Sequence, residues 1–235
     1  MRISFSSFNY FLYYFSQGYT DREIENILHP FGSVSIAYRT IRKYSLLCRE
    51  IIHLFVQNLL QDTILEGPVE IDESCVYKMK RGRNGRLTRI IYWVFGLKCR
   101  KTKKVIIYPV LYRNRKSLKP IIRKHVKPGA LILSDRFSAY FNNRTVPPTS
   151  HLVPLGYIHI GINHSIHFVS NIDSSIHTNT IERVWRALKW KFRGFKPRNQ
   201  IHQYIYQFML ESWIAKEDRY YTMLYLVQKY NSIQD

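Results

Sequence analysis

The spacing of apolar residues changes at Glu66-Gly67-Pro68, and that change commits the chain to two kinds of structure in series. Before it, Ala37, Ile41, Tyr44, Cys48, Ile51 and Phe55 recur at helical spacing. After it, short runs rich in Val, Ile and Tyr carry the spacing of strands, bounded by Gly, Pro and basic turns. Thr20-Asp21-Arg22-Glu23 is a capping box that opens a first short helix ending at His29-Pro30, and Ser35 is placed to cap the second. Arg39, Arg42, Lys43 and Arg49 lie off the apolar stripe of that second helix. Two helices joined by a tight turn, the second basic near its start, fit a helix-turn-helix DNA reader. A plain helical hairpin with a solvated basic face gives the same pattern.

Beyond residue 68 the expected strands are Val69–Lys78, Arg89–Lys98, Val105–Tyr112, Ala130–Ser134 and Tyr157–Asn163. Helices are expected over Leu118–Val126 and Phe137–Phe141, then from Thr178, and finally from about Arg198 to Ala215. Three meandering strands followed by alternating helices and strands make an α/β mixed sheet with helices on its faces. The expected domains are 1–65, helical and DNA-binding; 66–196, the mixed-sheet core; and 197–235, a helical tail packed on that core.

The chain can bury one sizeable core at 235 residues, and its charge says what it meets. Lys and Arg number 36 against 16 Asp and Glu, a formal +20, which points first to nucleic acid as partner. The cations are spread along the chain, so the folded body itself is the binding surface. Cys48, Cys75 and Cys99 stand far apart, which excludes a disulfide framework and a Cys-based zinc site. The opening run to Phe15 is broken by Ser6, Ser7, Asn9 and several tyrosines, so it reads as neither a signal peptide nor a membrane span. An intracellular protein is expected, nuclear in a eukaryote.

Few acidic residues remain, and three have distinctive positions. Asp72 lies on the first strand, Asp135 at the end of the fourth, and Glu182 on the helix that opens near Thr178. In a mixed sheet the first and fourth strands can be neighbours, and the late helix can cover the same edge. Three carboxylates from three elements suit two Mg²⁺ or Mn²⁺ ions for phosphoryl transfer, because hard divalent ions prefer carboxylate oxygens. Glu182, Arg186, Lys189 and Arg193 form one stripe beside the apolar Ile181, Trp185, Leu188 and Phe192. Asn179-x-x-Glu182 also fits a capping box, which leaves Glu182 with two readings. Asp72 could pair with an arginine, and Asp135 could cap the helix that follows it.

Five motifs, in order, resemble those of Merlin-type DDE transposases and the related bacterial ISXO-like insertion-sequence transposases. They are Glu70-Ile71-Asp72-Glu73-Ser74, Trp93-Val94-Phe95-Gly96, Ser134-Asp135-Arg136-Phe137-Ser138-Ala139-Tyr140, Ile162-Asn163-His164-Ser165, and His177 to Trp185 followed by Lys189. The likeness covers roughly residues 66–215. It implies an RNase H-like core with Asp72, Asp135 and Glu182 as the catalytic and metal-binding triad. It also implies a DNA contact from Lys189, and Asn163 and His164 match the family's fifth-strand motif, with DNA contacts expected of them. His159 matches the same fifth-strand motif, with hydrogen bonds to DNA or to the acidic site as its expected role. Phe137 stands where the family carries tryptophan. The implied partner is double-stranded DNA, at element ends and target, met by a homo-oligomer. A transposase-derived protein that binds DNA without cutting it, or a nuclease on the same core, would keep the same residues.

Overall fold

In this computed structural model the described residues are 3–29, 36–79, 90–162, 177–192 and 200–234. They fall into two compact units, one of residues 1–62 with 200–235 and one of residues 63–199.

The first unit is helical: α1 (Phe5–Ser16), α2 (Asp21–Leu28), α3 (Tyr38–Asp62), α6 (Ile201–Trp213) and α7 (Arg219–Gln234). The expected capping box opens α2. Glu23 N–H donates to Thr20 Oγ1 at 3.3 Å, and Thr20 N–H donates to Glu23 Oε2 at 2.7 Å. The turn expected between the first two helices, including Ser35, lies outside the described residues.

Two expectations fail here. The C-terminal tail, expected to pack on the sheet domain, belongs to the helical unit and lays α6 against α3. A 25-residue helix carries apolar residues enough for a second helix to cover, and Ile201, Ile205 and Met209 supply the matching face. Arg49, expected among the solvated cations, is 4% exposed. It falls one turn beyond Ser45 on the buried face, where Nε donates to Gln207 Oε1 at 3.0 Å and the guanidinium stacks over Tyr204. Arg39, Arg42 and Lys43 are exposed. The aromatic opening run, which reads as neither leader nor span, forms α1 with Phe11, Leu12 and Phe15 buried, and α7 is a second helix in the expected helical tail, beyond the one placed at 198–215.

The second unit is built on a five-stranded sheet of order β3-β2-β1-β4-β7. Its strands are β1 (Val69–Met79), β2 (Ile90–Cys99), β3 (Val105–Val110), β4 (Leu131–Asp135) and β7 (Ile158–Ile162), with α4 (Arg115–His125) and α5 (Asn179–Lys191) against it. β1 pairs antiparallel with β2 and β2 with β3, whereas β1–β4 and β4–β7 are parallel. This mixed order is consistent with the RNase H-like architecture that the motifs imply. The helix expected over Phe137–Phe141 is instead a single hydrogen-bonded turn, with Phe141 N–H donating to Phe137 O at 3.0 Å. The chain then folds back, pairing β5 (Phe141–Asn142) with β6 (Thr149–Ser150).

No helix among the described residues is long and apolar enough to cross a membrane.

Candidate active site

Period-two alternation sends Glu70 and Asp72 of β1 to one face of the sheet and Ile71 and Glu73 to the other. The first pair meets α5. Glu70 is fully buried, and its Oε2 accepts the N–H of Ile181 at 2.8 Å while Oε1 accepts Arg100 Nε at 2.6 Å. A carboxylate from the sheet thus satisfies an orphan amide in the first turn of α5. Thr178, at the N-cap, makes no side-chain cap bond, so the helix start is fixed from outside and not by a local box. Glu182 is released from that duty and lies exposed, one residue after the capped amide.

Trp185 stands one turn further along α5. Its indole N–H donates to Asp72 Oδ2 at 2.8 Å. The ring occupies the space above Gly96, which is Asp72's partner across β2. A Cβ at Gly96 would sit 2.3 Å from the ring, so only glycine admits it. The Trp93-Val94-Phe95-Gly96 motif therefore has a packing reason.

β4 brings in the second aspartate. Glu70 pairs with Leu133, so two residues on along parallel strands Asp72 and Asp135 come level. Asp135 Oδ1 accepts the N–H of Phe137 at 3.1 Å, which tethers the carboxylate at the strand end. Asp72 is raised to about 6, chiefly by burial, against the Trp185 bond that favours its charged form; Asp135 and, more weakly, Glu182 raise it further by like-charge repulsion. The three acidic residues therefore share one electrostatic neighbourhood. They do not form a closed ligand set: among the described residues no three His, Cys, Asp or Glu side chains stand together as a metal-holding group. Their chemistry nonetheless fits a hard cation. The donors are carboxylates only, and the burial and repulsion that raise Asp72 are what a divalent ion would offset.

On the other face Glu73 forms a cluster to which sequence reasoning gave no role. Tyr140 O–H donates to Glu73 Oε1, and Arg113 Nε lies 3.5 Å from Oε2. Arg113 is stacked between Trp93 and Phe137, its guanidinium carbon 4.1 and 4.8 Å from the ring centres. Burial pushes Glu73 up to about 7, aided by Asp72 and Asp135 and opposed by Tyr140 and Arg113. The presence of Glu73 and Tyr140 in the recognised motifs was the one available signal.

The remaining assignments divide. Arg186 and Lys189 are exposed on α5 at helical spacing from Glu182, while Arg193, Asn163 and His164 lie outside the described residues. Both ring nitrogens of His159 are engaged by serine hydroxyls. Its Nδ1 lies 2.6 Å from Ser150 Oγ and its Nε2 3.0 Å from Ser134 Oγ, and burial lowers its pKa to about 4. It is a neutral structural histidine stacked on Phe141.

Residues 64–212 match the protein family described as the ISXO2-like transposase domain. A search among curated proteins returns no match.

Proposed function

We propose that this chain, which belongs to the ISXO2-like transposase domain family, is a DDE transposase that cuts DNA at the ends of a mobile element and joins them to target DNA. The observation that carries this reading is the raised, half-buried Asp72, level with Asp135 and repelled by both Asp135 and Glu182. Asp72, Asp135 and Glu182 would hold two Mg²⁺ or Mn²⁺ ions, which supply Lewis-acid stabilisation of the attacking and leaving oxygens.

The protein's own contribution is orientation. Trp185 takes one oxygen of Asp72 and the Phe137 amide takes one of Asp135, so each carboxylate arrives with its rotamer restrained. Glu70 fixes the start of α5, and with it the placement of Glu182 and Trp185. Arg186 and Lys189, in register with Glu182, would lie along phosphates next to the cut, and Arg193, Asn163 and His164 are further proposed DNA contacts. Water oxygen adds to phosphorus and the 3′-oxygen leaves, taking up the proton the water gives up; that 3′-hydroxyl then attacks a target phosphorus, joining the strands as the target's own 3′-oxygen leaves as a hydroxyl. Arg39, Arg42 and Lys43 on α3 would contact duplex DNA separately, and two ends imply a homo-oligomer on DNA.

The test is divalent-dependent cleavage of a duplex carrying the element's ends. The wild-type chain should nick it, while Asp72→Asn and Asp135→Asn should bind it about as well and leave it uncut. Cutting by either variant overturns the assignment. Binding without cutting by the wild-type chain makes it a transposase-derived DNA-binding protein.

A further inference from the structure

Between Glu73 and Asp173 the sequence holds a single acidic residue, Asp135, and within that stretch α4 places four cations on one stripe. Leu118, Ile122 and His125 form the buried side of α4. Arg115, Lys119 and Arg123 follow at intervals of four residues, with Lys116 beside them. Arg115, Lys116 and Arg123 are exposed, Lys119 is partly so, and none of the four joins an ion pair among the described residues.

A solvated helix face ordinarily mixes both signs of charge. This one does not, and its pattern works against the helix. Like charges at i, i+4 repel, and Arg115 and Lys116 sit in a first turn that contains no acid, where the helix dipole disfavours cations. The fold gains nothing from that arrangement, whereas a polyanion would.

The position of α4 says which polyanion. Tyr108 pairs with Phe95 and Phe95 with Glu73, so all three point to one face of the sheet. Tyr108 Oη meets His125 Nε2 at 2.8 Å, which places α4 on that face, opposite α5. The helix begins two residues after Arg113, which is paired with Glu73 beside Asp72, and runs away from the carboxylates. Its stripe from Arg115 to Arg123 spans about 12 Å, over which a duplex presents about seven phosphates.

We propose that the outer face of α4, through Arg115, Lys116, Lys119 and Arg123, is a second phosphate-backbone contact for duplex DNA, on the side of the sheet away from α5. The proposal rests on the DNA transposase reading but not on cutting.

Its test is salt-dependent binding of the full chain to a labelled duplex in EDTA, from about 50 to 200 mM NaCl. Arg115→Gln/Lys116→Gln/Lys119→Gln should flatten the log–log slope by about 2–3 units, since each phosphate contact contributes about 0.9. Lys101→Gln/Lys103→Gln/Lys104→Gln, at the β2–β3 hairpin, removes as much charge elsewhere and should leave the slope within about 0.5 of wild type. An unchanged slope in the α4 triple overturns the proposal, as does equal flattening in the hairpin triple or a Tm lowered by several degrees in the α4 triple. Because no metal is present, a chain that never cuts DNA can still show the α4 slope change. A chain that cuts with an unaltered slope loses α4 alone.

Discussion

The Glu70 carboxylate on β1 and the Ile181 amide on α5, 2.8 Å apart, lock the helix of the third acidic residue to the strand of the first. With Arg100 at 2.6 Å on its other oxygen, Glu70 is a buried carboxylate bonded at both oxygens. Glu70→Ala should destabilise the sheet unit by about 1–3 kcal/mol, because it leaves the Ile181 amide unsatisfied and removes the Arg100 ion pair, while Arg100 keeps the His177 carbonyl. Chemical denaturation measures it, and a loss below about 1 kcal/mol would show that neither group depended on the carboxylate.

Glu182→Gln separates cap from catalyst. The side chain is exposed and the helix start is held by Glu70, so stability should stay within about 0.5 kcal/mol. Cleavage should fall to background, because an amide brings no charge to a divalent ion. Normal cutting by this variant would remove Glu182 from the triad.

Trp185→Phe keeps an aromatic ring over Gly96 but deletes the hydrogen bond that favours ionised Asp72. The pKa of Asp72, already about 6, should rise. The acid limb of the cleavage–pH profile should then move to higher pH. A limb that stays in place would mean that another group sets it.

Asp72 and Glu73 both hold protons more tightly when folded than their ordinary values of 3.8 and 4.5. Between those values and about 6 and 7 the folded state binds more protons than the unfolded one, so metal-free stability should fall as pH rises through that window. Mg²⁺ should restore Tm at the upper end by favouring the ionised form, and Asp72→Asn should blunt that response. Scanning calorimetry from pH 4 to 7.5, with and without Mg²⁺, checks both; a metal-free Tm that climbs across the window contradicts the signs.

Residues 1–65 alone should not fold into a DNA-binding module. The buried face of α3 needs α6, and Arg49 needs Gln207. The isolated segment should expose Ile41, Ile52 and Val56 and associate, visible in sedimentation. A monomeric, helical 1–65 that binds duplex would contradict this.

The sheet strands are legible because their apolar runs are short and bounded, as at Val105–Val110, and the element order allows the β1–β4 pairing that brings Asp72 and Asp135 level. What escaped the sequence is contact at long range. No periodicity announces that Glu70 will cap a helix 111 residues away, or that Gly96 is small for the sake of Trp185. Arg49 was misplaced because its position, one turn beyond Ser45, reads as buried only once α6 is known to cover it. Phe137–Phe141 has helical spacing, but Asp135 takes the Phe137 amide and closes a turn instead.

The helical unit is assembled from both ends of the chain, with the whole sheet unit inserted between α3 and α6. During synthesis the first three helices therefore leave the ribosome without their partners. They must wait, apolar face uncovered, until α6 and α7 are made. The sheet unit is contiguous, Thr63–Asn199, and is synthesised in full before α6. A stop codon or frameshift after residue 199 would thus leave the carboxylates encoded in full while disabling helices written well ahead of them.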